Sequence, residues 1–413
     1  MASTYRDRFS AWLTAHGAAM RTIPDLLDAL CRFFNAEGYE VFRCNLATEA
    51  VHPLIANTRH VWFAEAVDPG PINPAVVIER RQFAMGEAMV DEILFNTGSQ
   101  RSPQYLASPF FKVEEVGELY EPIGPAGGPQ PFPVFDDLAA SGCTGYYALR
   151  LTSFAGLLQK FGLATRRAGG LDAARRRDLR WSLDLFTLHL DTLIESIVKE
   201  TLARCYVGVD PGRRVCDGMI GRGAIVSVEA AVWFSDLRGF TAIGDSLDSP
   251  ALVESLNDYF DAVVPPIYAA GGEVLKYIGD AVLAIFPHAN FSDAGAACRA
   301  ALAAEGESRG LLAQANARRG DCGLPELAHG IGLSSGTVSY GNIGSRERLD
   351  FTVIGAAVNL ASRVEALTRQ LDEPVLCSAG FAGEAGGAMR PLGEFALKGL
   401  ARPAAIFAPA EAA

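Results

Sequence analysis

Along the first third of the chain the apolar positions change period. In "PDLLDALCRFFNAEG", Leu26, Leu27, Leu30, Phe33 and Phe34 recur at three- and four-residue steps, which predicts an amphipathic helix. "YEVFRCNL" then comes close to strict alternation and predicts a strand, as do "AVVIERR" and "GYYALRLT". "EPIGPAGGPQPFP" is rich in Pro and Gly and reads as a loop. Residues 1–170 are therefore expected to form an α+β domain built on an antiparallel sheet.

A longer apolar repeat follows. Leu179, Leu183, Phe186, Leu190, Leu193 and Ile197 are spaced 4-3-4-3-4, and Ile194, Val198 and Leu202 widen the stripe. A helix over 171–205 with this stripe either packs on its own domain or pairs with a second copy as a parallel coiled coil. Its place between two domains favours the coiled coil, which would act as a signalling helix. The Gly/Pro-punctuated "YVGVDPGRRVCDGMIGRGAIV" predicts a linker over 206–228. From 229 to 413 the pattern runs strand (230–235), helix (250–269), paired strands (273–278 and 281–286), helix (292–316), strands (328–334 and 337–343), helix (356–370) and three short strands. Helices alternating with paired strands indicate an α+β domain of the ferredoxin-like kind.

Two carboxylates in that domain break the apolar pattern. "VWFSDLRGFT" leads Asp236 straight out of an apolar strand, and Gly279-Asp280 turns between two strand-like runs in "GGEVLKYIGDAVLAIFP". Set side by side at ~4 Å, the two charges would repel by about 4 kcal/mol at an effective dielectric of ~20. That cost calls for a cation. Two aspartates and a backbone carbonyl suit Mg²⁺, which takes oxygen ligands and keeps positions for water or phosphate.

In this order and with these gaps, "FSDLRGFT", "GGEVLKYIGDAVLAIF", "GTVSYGNIG" and "DFTVIGAAVNLASRVE" resemble the class III nucleotidyl cyclases over about residues 229–409. The resemblance implies that Asp236 and Asp280 each bind both of two Mg²⁺ ions, with Mn²⁺ as a substitute and the Leu237 carbonyl helping. It implies that the ribose 3′-oxygen attacks the α-phosphate in line and expels pyrophosphate. Lys276 matches the adenine-selecting lysine, and Thr352 matches its partner position, an aspartate in many relatives. An ammonium only donates, adenine N1 accepts, and the Thr352 hydroxyl accepts from the adenine amino group. A donor facing the guanine N1 hydrogen would cost about 1–3 kcal/mol, which favours ATP over GTP. The threonine is similar to the subclass often stimulated by bicarbonate.

Asn359 and Arg363 stand four apart on one helix face. They match residues that orient the ribose and stabilise charge on the α-phosphate. Lys398 matches a triphosphate-binding lysine, Arg348 is a phosphate candidate with Arg346 as rival, and Arg238 is either part of the first motif or a surface ion-pair residue. In the family the metal aspartates come from one protomer and the Lys, Thr, Asn and Arg from the other. The expectation is a head-to-tail homodimer with two shared sites. On element order the N-terminal domain looks like a GAF or PAS-type sensory module.

Composition narrows the classes. A formal charge of −12 over 413 residues argues against a general nucleic-acid binder, which needs a basic face. No apolar run reaches the roughly 18 residues of a membrane helix. Eight scattered cysteines without a C-x-x-C pair fit free thiols in a reducing, cytoplasmic setting. His52 and His60, eight apart without further ligands, are expected to be structural. Cys31, Cys44 and Cys143 are either core residues or the lining of a sensory pocket. The leading reading is a regulated adenylate cyclase. A guanylate cyclase, whose relatives usually carry glutamate where Lys276 stands, and a silent nucleotide-binding module are the alternatives. "GGEVL" lacks the acidic-acidic-Phe continuation of diguanylate cyclases.

Overall fold

The computed structural model describes residues 4–154 and 156–410, and the chain divides into two units, Met1–Thr201 and Leu202–Ala413. Unit 1 runs α1 (Tyr5–His16), α2 (Ile23–Ala36), β1 (Val41–Glu49), β2 (Asn57–Phe63), β3 (Val77–Met85), β4 (Ala88–Phe95), α3 (Pro103–Leu106) and α4 (Pro109–Val116). It continues with β5 (Glu118–Pro122), α5 (Val134–Ala140), β6 (Gly145–Thr152), β7 (Leu158–Thr165) and most of α6 (Ala173–Val207). The strands form one antiparallel sheet in the order β3-β4-β2-β1-β7-β6-β5.

Alternation gives this sheet two apolar faces. Cys44, Leu46, Trp62, Tyr147 and Phe161 pack against α1, α2 and α6, while Phe42, Tyr146, Ala148 and Ala164 pack against α4 and α5. Cys31 and Cys44 are buried in the first core and Cys143 in the second. His60 Nε2 pairs with Glu92 at 2.8 Å and the His52 ring accepts from the Leu54 N–H at 3.0 Å, so both are structural.

The helix expected over 171–205 forms, but its stripe is not the seam of a coiled coil. Leu179, Leu183, Phe186 and Leu190 are completely buried in unit 1's own core, Leu193 packs against that core, and only Ile197 is exposed. The sheet needs a cover on this face, and the stripe supplies it.

Unit 2 contains α7 (Val209–Cys216), β8 (Ile225–Leu237), α8 (Phe240–Ser246), α9 (Ser249–Ala269), β9 (Glu273–Ile278), β10 (Ala281–Pro287) and α10 (Ala294–Asp321). It closes with β11 (His329–Gly344), β12 (Leu349–Ile354), α11 (Ala356–Leu371), β13 (Val375–Ser378), α12 (Ala379–Ala385), β14 (Met389–Phe395) and β15 (Ala404–Pro409). The sheet order is β14-β15-β13-β11-β8-β10-β9, with β12 paired to β11. The βαββαβ run from β8 to β11 with spatial order β11-β8-β10-β9 is the ferredoxin-like arrangement.

Three expectations change here. The two strands expected at 328–334 and 337–343 are the single β11, because β8 pairs with it along its whole length. The hairpin partner β12 did not stand out in the sequence. The stretch 206–228 is not an open linker: α7 is docked through Asp210, which accepts from the Tyr340 hydroxyl at 3.0 Å, and Asn342 donates to the Met219 carbonyl at 2.6 Å.

Candidate active site

The alternation along β8 decides where Asp236 goes. Ala231, Trp233 and Leu237 face the core beneath α9 and α10, whereas Ala230 and Val232 face α11. Asp236 therefore emerges on the α11 side. Its neighbour Ser235 is buried and accepts from the Tyr259 hydroxyl at 2.9 Å, which pins the strand end. Asp280 is the second residue of the two-residue β9–β10 turn, where Gly279 has φ 66° and Asp280 keeps a negative φ, the pattern of a type II′ hairpin. β8 and β10 are paired neighbours with Val282 opposite Ser235, so both carboxylates reach one rim.

The electrostatics of that rim are unfavourable without a cation. Burial, and then the adjacent Asp280 carboxylate, push the Asp236 carboxyl up to about 6. Glu365 of α11 is also buried, and burial followed by the Asp236 charge pushes it up to about 7. Arg369, one turn further along α11, donates to the Leu237 carbonyl at 3.0 Å, and its charge opposes both shifts. Two carboxylates and a carbonyl form an all-oxygen donor set, and the carbonyl has a second lone pair beyond the one Arg369 uses. The residues present fit Mg²⁺ or Mn²⁺.

A second cluster centres on Asp350. Lys276 of β9 donates to it at 2.5 Å, and this bond holds the Asp350 carboxyl below its usual value. Thr352 lies two residues on, hence on the same face of β12. Arg348 reaches within 4.0 Å of Asp350, with its side chain 87% exposed. Lys276 and Arg348 thus converge on Asp350, with Thr352 on the same face of the strand.

The third cluster lies on α11. The Arg363 guanidinium rests on Gly399, where a Cβ would stand 3.2 Å from it; Gly399 also has φ 81°. Lys398 is exposed on the same loop, and Asn359 is exposed one turn before Arg363. At about 100° per residue, the Asn359/Arg363 face is turned by roughly 120° from the Glu365/Arg369 face. The helix shows one face to its own acidic rim and the other to the Lys398 loop.

Arg238 lies 3.8 Å from Asp372 but is more than a surface ion-pair residue. It donates to the carbonyls of Thr368 and Glu373 at 3.1 and 2.7 Å and so ties down the end of α11. Sequence reasoning passed over Asp350, Glu365 and Arg369. The signals present were parity with Thr352 for Asp350, and for Glu365 an acid on the apolar face of α11 with Val364, Leu367 and Thr368.

The family model described as the adenylate and guanylate cyclase catalytic domain matches residues 226–379. An adenylate cyclase of Anabaena cylindrica is 37% identical over 148 residues, 36% of this chain and 29% of the relative. Adenylate cyclase 1 of Rhizobium meliloti is 33% identical over 186 residues, 44% of this chain and 27% of the relative. The crystal structure of the adenylyl cyclase CyaB from P. aeruginosa aligns over 44% of this chain and 94% of its own, at 29% identity and a TM-score of 0.41. The chain thus spans less than a third of the length of these two curated relatives. Through residues 226–379 the chain belongs to the class III adenylate and guanylate cyclases.

Proposed function

We propose that unit 2 converts ATP to 3′,5′-cyclic AMP and pyrophosphate in a homodimer with shared sites, under the control of unit 1. The observation that carries this reading is the rim where Asp236 and Asp280 share one electrostatic environment and Glu365 adds a third acid. Divalent ions bound there supply charge neutralisation at the triphosphate and activation of the 3′-hydroxyl. The remaining work falls to side chains. Lys276 presents a donor to adenine N1, with Thr352 beside it for the amino group. Asn359 orients the ribose, Arg363 stabilises charge on the α-phosphate, and Lys398 and Arg348 hold the outer phosphates.

Because Asn359 and Arg363 point away from the acidic rim of their own chain, a complete site requires a second chain. Exposed Tyr277, Ile278 and Ile354 on β9 and β12 offer that chain an apolar surface. Among the described residues no helix is long and apolar enough to cross a membrane. A cytoplasmic enzyme, with bicarbonate as a candidate effector through the Thr352 subclass, is consistent with these features. The test is a product assay on the purified chain with ATP and GTP separately, each in Mg²⁺ and Mn²⁺. Cyclic AMP from ATP is expected; release of cyclic GMP alone would favour the guanylate reading, and neither product would leave a silent module.

A further inference from the structure

Unit 1 holds two half-buried arginines, Arg43 and Arg59, that make no ion pair among the described residues. Alternation on β1 and β2 sends Cys44, Leu46 and Trp62 into the helix-covered core, and Arg43, Asn45 and Arg59 to the opposite face. There they line a cavity of about 620 Å³, whose other walls include Ile72, Val76, Phe95, Phe110 and Leu158. A volume of this size suits a small organic molecule, and an apolar wall with a few converging polar groups is the usual make-up of such a site.

The other cations of this face are matched. Arg80 donates twice to Asp91, at 2.8 and 2.9 Å, and Lys160 is held by Glu114 and Tyr105. Among the described residues Arg43 and Arg59 make no ion pair, and the Nε of each is buried without a hydrogen-bond partner, as is the Oδ1 of Asn45. Each guanidinium rests on a ring instead: Arg43 lies 5.4 Å from the centre of Phe63, Arg59 5.2 Å from that of Phe95. The acids facing Arg43 are Asp137 and Asp91, the latter already committed to Arg80. Arg59 faces Asp91 as well, but with Arg43 and Arg80 as like charges. Burial first, and then the Arg43 charge, push Arg59 down to about 10, so it stays protonated at neutral pH. Partial desolvation of a cation that makes no ion pair is unfavourable, and a neighbouring like charge adds to the penalty.

We propose that this cavity binds a small organic anion. Its carboxylate or phosphate head lies between Arg43 and Arg59, a hydroxyl or N–H beside the head meets Asn45, and its apolar body lies against Phe95 and Phe110. The inference rests on unit 1 alone and stands whether or not unit 2 cyclises a nucleotide.

The experiment is thermal unfolding of the full chain at pH 7 and constant ionic strength. It is followed by tryptophan emission, since Trp12, Trp62 and Trp181 belong to unit 1 and Trp233 alone to unit 2. Salicylate, phenyl phosphate and the neutral salicylamide are the probes. At least one anion is expected to raise the unit 1 transition by several degrees while salicylamide does not, and the stronger anion identifies the head group. Arg59→Met without ligand is expected to melt higher than the wild type, because an unanswered charge has gone, and to lose the anion response. Arg59→Lys keeps a charge and should retain part of that response. The proposal is overturned by an Arg59→Met chain that melts lower or fails to fold, which would mark a structural cation. It is equally overturned by no shift with either anion, by salicylamide matching the anions, or by an undiminished anion shift in the Arg43→Met/Arg59→Met double variant.

Discussion

Arg369 donates to the carbonyl of Leu237, the residue directly after Asp236, at 3.0 Å. This bond places a cation beside two acids whose protons are held unusually tightly, Asp236 up to about 6 and Glu365 up to about 7. Divalent ions compete with those protons. Metal affinity is therefore expected to fall as pH drops through about 6, with protons released on binding at pH 6. Calorimetry of Mn²⁺ binding in two buffers of different ionisation enthalpy measures that release. The sign follows from the raised value: without metal, the Asp236 contribution to stability is fully present below about 3.8 and is lost as pH rises through about 6. Arg369→Met removes the charge opposing both shifts, so the pH midpoint of Mn²⁺ binding should move upward. An unchanged midpoint would mean that Arg369 does not act electrostatically on this rim.

Asp236→Ala or Asp280→Ala is expected to lower product formation by at least a hundredfold in Mg²⁺ or Mn²⁺. Asp280→Asn should at the same time raise stability in chelator by on the order of 1 kcal/mol after solvent screening, since it relieves like-charge repulsion. Activity assays and chelated melting curves check both. Loss of activity together with lowered stability would point to misfolding rather than to a lost metal ligand.

Mixing inactive Asp236→Ala chains with inactive Arg363→Ala chains should restore about a quarter of wild-type activity, because half of the randomised dimers carry one complete site of two. Verified subunit exchange without any recovery would contradict sites shared between chains.

Lys276→Ala removes the donor proposed above to face the base. The ratio of ATP to GTP turnover, compared as kcat/KM, should fall roughly tenfold to a hundredfold. The freed Asp350 carboxyl loses its ion pair and should titrate closer to an ordinary carboxylate, which NMR titration can follow.

Ile278→Asp or Ile354→Asp places a charge on the exposed apolar edge of β9 and β12. Sedimentation should then show monomers together with loss of activity, whereas a persistent dimer would place the interface elsewhere.

The sequence by itself determined most of the local elements, though not the unity of β11 or the presence of β12 and α7, and it singled out the acidic pair. Apolar strand-like runs placed β8, β9 and β10, the Gly279-Asp280 pair announced the turn, and an aspartate at the end of an apolar strand marked a charge with a purpose. The spacing of Asn359 and Arg363 gave one helix face without any coordinates. Tertiary structure alone decided what each stripe touches. A 4-3-4 apolar repeat reads the same whether it covers its own sheet or a partner helix, and here Leu179 to Leu190 cover the sheet. The roles of Asp350, Glu365 and Arg369 could not be read from position alone, because an ion pair or a shared field depends on distances between strands and helices far apart in sequence. The unanswered charges of Arg43 and Arg59 are of the same kind. On paper they are two polar positions of alternating strands, and only the folded sheet shows that neither makes an ion pair among the described residues.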